Sequence, residues 1–481
     1  MDPSLYNEDL APVPPDKRTW GRWHIAALWV GMAICVPTYT MASENVGRGM
    51  SAWQAVFVIA LANVIVLLPL MANGHPGTKY GIPFPVVVRA SFGVRGAQIP
   101  AVLRALVACG WFGIQCWFGG LGLWATGAAL FPDVSVPDIH IVGAPLAQLI
   151  WFFVFWLLNV YFIWRGMESI KWLETLSAPF LIVCGVALLV WAIVRGGGLG
   201  AIMATPETSP LGETFAVALT SGVSFWATLA LNIPDFSRFA RTQRDQVVGQ
   251  AIAMPTTMTA FAFIGVATTA ATVIVWGGAP ITYPDALVTK IGNPIVTVIG
   301  MLGLAIATLS TNIAANVVSP ANDFANLSPS KISHRMGGLI TAVIGILICP
   351  WLILENAGNY IFVWLVGYGV LLGPIGSIMI VDYFVLRRRE LDVDDLYRRG
   401  GRYEYSNGFN PAALIAFAVG VVPCIPGFAA AATGQVSDIP MADQIYTWAW
   451  FVSSGLSAIV YYALMRGRIG TSTGARPIVR T

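Results

Sequence analysis

A proline breaks the first apolar segment of the chain within residues 31–40, GMAICVPTYT. Pro37 has no backbone N–H, and its ring clashes with the preceding turn of a helix. The carbonyl oxygens near Gly31 and Ile34 are therefore predicted to be left free. A second break, the small-residue sequence SGVSFW at residues 221–226, lies inside the sixth apolar segment. A single kink is common in membrane helices, but breaks at corresponding places in two halves are typical of inverted repeats around a central site.

The composition predicts an all-α polytopic membrane protein. Of the 481 residues, 56% are hydrophobic and only 11% are charged, and the mean hydropathy is +0.70. In soluble proteins about a quarter of the residues are charged. Apolar runs of about twenty residues, each long enough to cross a bilayer as a helix, recur along the chain. Residues 1–20 are polar and proline-rich, which argues against a cleaved signal peptide.

We predict twelve transmembrane helices in the cell (inner) membrane, with both chain termini in the cytoplasm. Basic residues such as Arg387, Arg388 and Arg389 follow the even-numbered spans, whereas acidic residues such as Asp133 and Asp138 occupy the opposite loops. Because basic residues collect in cytoplasmic loops, this alternation sets the orientation. The predicted spans are 24–47, 51–73, 97–126, 143–163, 173–195, 212–238, 251–276, 292–319, 336–353, 357–384, 411–430 and 445–466.

The spans are expected to form two five-helix repeats followed by two extra helices. The two breaks lie in spans one and six, so span three corresponds to span eight. The expected divisions are a cytoplasmic N-terminal tail at 1–23, a first repeat at 24–195, a second, inverted repeat at 212–384, a cytoplasmic loop at 385–410, the two extra helices at 411–466 and a cytoplasmic C-terminal tail at 467–481.

Residues 74–100 are predicted to form a structured cytoplasmic connector rather than a span. Pro76 and Gly77 are expected to break any helix, and Arg89 and Arg95 are expected to keep the segment in water. Both an ordinary loop and a gating element are compatible with this pattern.

A polar and aromatic cluster, GWFGIQCW at residues 110–117, lies inside the third span. Trp111 and Gln115 are four residues apart and share one helical face. A tryptophan ring is a flat stacking platform and a glutamine amide offers both a donor and an acceptor, which suits a planar ureide, lactam or pyrimidine. Trp226, beside the break in span six, is predicted to cover the other face of such a ring. An interfacial anchor is the alternative role for either tryptophan.

A second polar cluster, STNIAAN at residues 310–316, lies inside the eighth span. Asn312 and Asn316 share a helical face and add a second pair of amides. The neighbouring hydroxyls are suited to a hard monovalent cation, although they are equally compatible with bonds to the preceding turn or to another helix. The oxygens available to such a cation are the hydroxyls of Ser310 and Thr311 and the carbonyls of Gly31, Ile34 and Ala307.

The remaining polar residues narrow the class of function. No charged side chain lies at the centre of a predicted span, whereas proton-driven carriers often place one there, so sodium is the predicted coupling ion. The six cysteines show no metal-ligand spacing, and neither a metal cluster nor an activated nucleophile points to an enzyme. A channel would need rings of charge or a repeated carbonyl filter. Transport is the function that remains, and no nucleic-acid partner is expected.

The chain also resembles the nucleobase:cation symporter-1 family, which includes permeases for cytosine, uracil, allantoin, hydantoin and thiamine. The resemblance covers residues 17–468, nearly the whole chain. The motifs that carry it are KRTW at 17–20, NGHPGTKYG at 73–81, FPVVVRASFG at 84–93, WFGIQ at 111–115, LNIPDF at 231–236, TNIAAN at 311–316 and DYF at 382–384.

This resemblance implies a leucine-transporter-like fold with five-plus-five inverted repeats, two extra C-terminal helices and alternating access. It also implies that a small planar heterocycle is carried together with sodium across the lipid bilayer. The implied contacts to the ring are Trp111, Gln115, Trp226 and Asn316. The implied sodium ligands are main-chain oxygens of Gly31, Ile34 and Ala307 and the hydroxyls of Ser310 and Thr311.

Two residues depart from the family's hydantoin transporter and are expected to reshape the pocket. Cys35 replaces a glutamine, and Phe225 replaces a glycine beside the tryptophan. The NIAAN run at 312–316 resembles that of members that carry uracil, so uracil or a related pyrimidine is the predicted substrate. Allantoin or hydantoin is the alternative within the family. A substrate-sensing receptor on a transporter scaffold is the alternative from another class.

Overall fold

The structure is a computed structural model that describes residues 2–134, 136–165, 167–355 and 359–468. The predicted C-terminal tail lies outside the described residues from 469 onwards. The first half of the chain contains α1 Arg22–Ala33, α2 Val36–Gly47, α3 Ala52–Tyr80, α4 Phe84–Val87, α5 Arg89–Phe92, α6 Gln98–Leu130, α7 Leu146–Arg165, α8 Met167–Arg195 and α9 Leu199–Met203. A short hairpin between α6 and α7 pairs β1 His140–Ile141 antiparallel with β2 Ala144–Pro145.

The second half of the chain repeats the pattern of long helices with short ones between them. It contains α10 Leu211–Phe225, α11 Ala227–Asn232, α12 Pro234–Ser237, α13 Gln243–Trp276, α14 Pro284–Ile291, α15 Pro294–Asn316, α16 Val318–Leu327, α17 His334–Leu347, α18 Pro350–Ile353, α19 Gly367–Ile380, α20 Val393–Leu396, α21 Pro411–Val421, α22 Ile425–Thr433, α23 Ala442–Thr447 and α24 Ala449–Met465. The segments Asn359–Val366 and Val381–Leu386 on either side of α19 are π-helical, and Pro15–Lys17 and Val422–Cys424 are 3-10 turns.

Seven helices in the described ranges are long and apolar enough to cross a membrane, and eight if the bent pair of α1 and α2 counts as one span. Three further apolar helices are shorter, namely residues 179–195 of α8, α17 and α24. The pattern agrees with a polytopic membrane protein, and the count of twelve spans stays a prediction.

Both breaks that the sequence predicts are present. The axes of α1 and α2 meet at 57°, and Pro37 lies in the first turn of α2, where its missing N–H costs nothing. Between the two helices, the Cys35 amide donates to the carbonyl oxygen of Ala33 at 3.1 Å, so the Gly31 carbonyl loses the partner it would have in a continuous helix. The second break separates α10 from α11 at Trp226.

The prediction that Pro76 and Gly77 end the second span was wrong, because α3 continues to Tyr80. The glycine here serves close packing: a Cβ atom at Gly77 would lie 2.4 Å from the Ser237 hydroxyl of α12. That hydroxyl donates to the Gly74 carbonyl oxygen at 2.7 Å, so a neighbouring helix stabilises the turn around the proline. Tertiary contact overrides the local helix-breaking signal.

Arg89 was expected to keep the following connector in water, but it is fully buried. Its guanidinium donates to Asn326 Oδ1 at 2.6 Å and to the Leu396 carbonyl oxygen at 3.0 Å, and it lies 5.3 Å from the ring centroid of Tyr397. These partners replace water around the charge. The connector is therefore part of the packed protein, while Arg95 is exposed as expected.

The N-terminal segment, residues 2–21, packs across one end of the helix bundle. Leu10 is fully buried, and its carbonyl oxygen accepts a hydrogen bond from the Tyr397 hydroxyl at 2.6 Å. The Asp9 carboxylate accepts a hydrogen bond from the backbone N–H of His334, the first residue of α17, at 3.1 Å. The segment thus joins a helix of the second half to the loop that follows α19.

The helices that carry the two polar clusters pack against each other. Of the helix pairs, α6 and α15 make the most extensive contact. At the α6–α7 contact a Cβ atom on Gly120 would lie 2.7 Å from Phe152 Cα, so the two backbones approach closely. Towards one end of α6, Arg104 Nη1 lies 3.3 Å from Asp323 Oδ2 of α16, and both side chains are fully buried. Sequence reasoning did not identify this ion pair.

Candidate functional site

A cavity lies where the two helix breaks meet the two polar clusters. The empty space beside its lining residues, part of which continues into the surrounding solvent, is about 380 Å³. Seven residues predicted for the site line it: Cys35, Trp111, Gln115, Phe225, Trp226, Thr311 and Asn316. The other lining residues are Met32, Pro37, Thr228, Leu229 and Ala315.

Trp111 forms one wall and is held in place by the edges of four aromatic rings. Its ring centroid lies 5.3 Å from that of Phe225, 6.3 Å from Tyr360, 6.0 Å from Trp364 and 6.2 Å from Tyr368, all at steep interplanar angles. Edge-to-face contacts of this kind are favourable and leave few rotamers open. The indole is therefore a rigid surface for a planar ligand.

Trp226 lines the cavity from the break between α10 and α11. Its indole N–H donates to Asn63 Oδ1 at 3.2 Å, and the Asn63 amide donates to the Thr259 hydroxyl at 3.2 Å. Its ring also meets Trp29 edge-to-face, with centroids 5.2 Å apart. Because the polar atom of this tryptophan is already satisfied within the protein, the ring itself is what it offers to a ligand.

Two side-chain amides of the cavity wall have unused oxygen atoms. Gln115 is 3% exposed, and its Oε1 is buried without a hydrogen-bond partner among the described residues. Asn316 donates from Nδ2 to Asn312 Oδ1 at 3.0 Å, while its own Oδ1 accepts no hydrogen bond from the described part of the chain. A buried acceptor without a donor is costly. The cavity therefore offers an acceptor at Asn316 and, at Gln115, an amide with both an acceptor and a donor that are not used by the described residues.

The structure places Asn312 one layer behind the cavity wall rather than in it. Its amide N–H groups donate to the carbonyl oxygen of Phe112 at 3.3 Å and to Asn159 Oδ1 at 3.1 Å, and its Oδ1 accepts from Asn316. Both ends of the amide are thus used within the protein. Asn312 can orient Asn316, but it has no free group to offer a ligand directly.

The residues predicted to bind a cation lie where the end of α1, next to the helix break, faces α15. The Thr311 hydroxyl donates to the freed Gly31 carbonyl oxygen at 3.2 Å. Ile34 and Ala307 belong to one small buried cluster, and Ser310, next to Thr311 in the chain, is also buried. The oxygens of this region are neutral carbonyls and hydroxyls. Such a donor set fits a hard monovalent cation.

Comparison with known proteins identifies the family. Residues 12–453 match the model of a family described as permeases for cytosine and purines, uracil, thiamine and allantoin. The chain belongs to this family. The permease is 40% identical to the purine-uracil permease NCS1 of Arabidopsis thaliana, over all of this chain and 81% of that protein. It is 38% identical to the allantoin permease of Bacillus subtilis, over 96% and 93% of the two chains. It is a membrane transporter and not an enzyme.

The solved structures agree with this identification. The nucleobase-cation-symport-1 transporter Mhp1, in a closed conformation with bromovinylhydantoin bound, shares 26% identity and superposes with a TM-score of 0.79 over 96% of each chain. A sodium-coupled sialic acid symporter, at 13% identity, has a TM-score of 0.64 over 97% of this chain and 94% of its own, and it shows the shared fold alone. The permease has the leucine-transporter-like fold predicted from its sequence.

Sequence reasoning missed two amides that support the site of the permease. Asn63 in α3 holds the indole of Trp226, and Asn159 in α7 holds Asn312. Each is a buried amide inside an apolar helix, which is the same signal that identified the two clusters. Neither has a polar neighbour in the sequence, so no local motif drew attention to it.

Proposed function

We propose that the permease carries a small planar ring of the uracil type into the cell together with sodium. The observation that supports this most directly is a pair of oxygens, Gln115 Oε1 and Asn316 Oδ1, that accept no hydrogen bond from the described residues and belong to a cavity walled by tryptophan. Pyrimidine diones and ureides carry N–H groups on the edge of a flat ring. Such an edge satisfies the two acceptors while the ring face stacks on indole.

The cavity residues divide into stacking, hydrogen-bonding and shape-defining groups in this proposal. Trp111 and Trp226 cover the faces of the ring, and Gln115 and Asn316 bind its edge. Phe225 packs against both indoles, with its ring centroid 5.3 Å from Trp111 and 5.1 Å from Trp226, so its bulk limits substituents on the ligand.

Sodium is proposed to bind between the break of α1 and the middle of α15. The Gly31 carbonyl oxygen, released by the break, already accepts a hydrogen bond from the Thr311 hydroxyl. A cation would use both oxygens, together with the Ser310 hydroxyl and the carbonyls of Ile34 and Ala307. Because Thr311 also lines the cavity for the ring, occupation of the two sites would be coupled.

Alternating access follows from this coupling. A ligand shifts a conformational equilibrium by as much as its affinity differs between the two states. Sodium and the ring are both proposed to bind best when the break of α1 lies against α15. Their joint occupation then favours a state in which the cavity is closed to one side of the membrane and open to the other.

The permease is proposed to lie in the cell membrane with both termini in the cytoplasm. The alternation of basic and acidic loops supports this orientation. The hydrogen bond from the Tyr397 hydroxyl to the Leu10 carbonyl oxygen joins the N-terminal segment to the loop at residues 385–410, which supports a common side for the two.

Allantoin is the second candidate substrate. It is favoured by the 38% identity to the Bacillus subtilis allantoin permease, which this chain matches over 93% of that protein's length. Allantoin also carries ureide N–H groups, so the same two acceptors would bind it.

Uptake into proteoliposomes tests the proposed function. Purified permease is reconstituted, and uptake of radiolabelled uracil, allantoin, hydantoin and cytosine is measured with and without an inward sodium gradient. We expect accumulation of uracil, or of allantoin, that depends on the sodium gradient. Equal uptake without sodium would contradict sodium coupling, and binding without any uptake would indicate a sensing receptor instead.

A further inference from the structure

We infer that Asn159, which lies outside the cavity, fixes the hydrogen-bond polarity of the substrate site through Asn312 and Asn316. The inference rests on the proposed function and deepens it, because it states which kind of ring edge the site accepts. Three amides form a relay from α7 to the cavity. Asn159 Oδ1 accepts from Asn312 Nδ2 at 3.1 Å, and Asn312 Oδ1 accepts from Asn316 Nδ2 at 3.0 Å.

The direction of this relay is set by two backbone carbonyls, which can only accept. Asn159 Nδ2 donates to the Phe155 carbonyl oxygen at 2.9 Å, so the other end of that amide, its oxygen, faces Asn312. Asn312 Nδ2 donates at the same time to the Phe112 carbonyl oxygen at 3.3 Å. The oxygen and nitrogen of an asparagine amide are usually assigned from such networks. Here both anchors give the same assignment.

The consequence appears at the cavity end of the relay. With its oxygen turned towards Asn316, Asn312 can only accept there, so Asn316 must donate its amide N–H to Asn312. The carbonyl oxygen of Asn316 is then left for the cavity. A reversed Asn316 would place two carbonyl oxygens against each other, which is unfavourable.

The relay is shielded from water, which makes its polarity persistent. Asn159 and Asn312 are fully buried, and Asn316 is 8% exposed. In such surroundings, two carbonyl oxygens that face each other cannot obtain hydrogen bonds from water instead. The site is thus built to meet a ring N–H at Asn316 Oδ1, and a ring that presents a bare nitrogen to that oxygen loses the hydrogen bond. Sites built to bond an N–H discriminate strongly against analogues that lack it.

The inference makes Asn159 a positioning residue, and the test uses a readout that a merely structural role would not change. Affinities of the purified permease are measured by competition with labelled uracil for three rings. Uracil has two ring N–H groups. Cytosine has a bare nitrogen in place of one of these N–H groups, and pyrimidin-4-one has a bare nitrogen in place of the other N–H group. The ratio of analogue affinity to uracil affinity is the quantity compared among variants.

We expect the wild-type permease to reject at least one analogue by about tenfold or more relative to uracil. Asn159→Leu removes one of the two acceptors that orient Asn312 and leaves the Phe112 carbonyl, so Asn312 and Asn316 turn more easily and the ratio for that analogue should move towards one by about threefold or more. Asn159→Asp keeps selectivity, because a neutral carboxyl group in this buried position still accepts from Asn312 and donates to the Phe155 carbonyl. Asn159→Ala is the second test if Asn159→Leu does not fold.

Thr126→Val serves as the matched control. It removes a buried side-chain hydrogen bond, from the Thr126 hydroxyl to the Gly122 carbonyl oxygen at 2.8 Å, elsewhere on α6. Its selectivity should equal that of the wild type. If Asn159→Leu and Asn159→Ala weaken all rings by the same factor and leave the ratio unchanged, Asn159 is structural only and the inference is wrong. If no ring binds to the wild type, the proposed function itself fails, and the inference with it.

Discussion

The buried side-chain oxygen of Gln115 accepts no hydrogen bond from the described residues, and neither does that of Asn316, which lines the same cavity. Sequence reasoning identified both residues because a lone amide in an apolar helix needs a reason to be there. It could not distinguish Asn316 from Asn312, since both lie on one face of α15. Only the structure shows that the Asn312 amide is used within the protein.

Replacement of Gln115 by leucine should weaken substrate binding. Gln115→Leu removes one of the two acceptors, and a lost hydrogen bond to a buried N–H costs about 1–3 kcal/mol. We expect the dissociation constant for the transported ring to rise by about tenfold or more in an equilibrium binding assay. Gln250→Leu is the control, because Gln250 is also buried and its Oε1 has no hydrogen-bond partner among the described residues, but it lies outside the cavity. Equal losses in both variants would contradict the assignment of Gln115.

Thr311→Ala should reduce the dependence of transport on sodium. The variant removes a hydroxyl that contacts the Gly31 carbonyl oxygen, whereas the tryptophan surfaces remain. We expect the sodium concentration for half-maximal uptake to rise several-fold, with a smaller effect on ring binding in the absence of sodium. Thr311→Ser should restore most of the response. Thr297→Ala, near the start of the same helix, should behave as the wild type, and an unchanged sodium response in Thr311→Ala would exclude that ligand.

The elements show where local sequence signals succeed and where packing overrides them. Pro37 marks a true break, because the chain begins a new helix there and uses the released Gly31 carbonyl. Pro76 lies inside α3 without ending it, since Ser237 of α12 supports the neighbouring turn. The two prolines look alike in the sequence. The difference between them lies in helices that are distant along the chain, so it was not predictable from a single sequence.

Close backbone contact between α6 and α7 should make Gly120→Ala destabilising. The added Cβ atom would lie 2.7 Å from Phe152 Cα, and backbone atoms cannot move aside as a flexible side chain can. Overpacking of this kind costs about 1–3 kcal/mol. We expect a lower melting temperature in detergent for this variant.

Gly455→Ala provides the comparison for that measurement. A Cβ atom at Gly455 in α24 would meet no heavy atom within 4 Å. Alanine is also the better helix former by roughly 0.5–1 kcal/mol. An unchanged or raised melting temperature is expected here, and a similar loss in both variants would mean that the close α6–α7 contact is not the cause.

At the scale of the whole molecule, buried polar contacts join the two halves of the chain. The Arg104–Asp323 pair links α6 to α16, and Arg89 of α5 reaches Asn326 at the end of α16. Sequence reasoning predicted two repeats from the helix breaks and the polar clusters. It could not find these links, because each partner lies more than 200 residues from the other along the chain.

Removal of one member of the Arg104–Asp323 pair should lower the stability of the permease more than removal of both members. Asp323→Leu leaves the Arg104 guanidinium buried without its carboxylate, and breaking a buried pair in this way costs about 3–5 kcal/mol. The double variant Arg104→Leu/Asp323→Leu removes both charges of the pair. We therefore expect the double variant to have a higher melting temperature than the single one. A double variant that is less stable than Asp323→Leu alone would show that the unpaired guanidinium is not what destabilises the single variant.

The packed N-terminal segment also constrains the order in which the chain assembles. Residues near Leu10 leave the ribosome long before Tyr397, the residue 387 positions later that bonds the Leu10 carbonyl. His334, which bonds Asp9, is made 325 positions after it. Contacts across such separations form late, because the loop between them must close first. The segment around Leu10 therefore reaches its final position only after the loop around Tyr397 has been synthesised, although it precedes that loop by hundreds of residues.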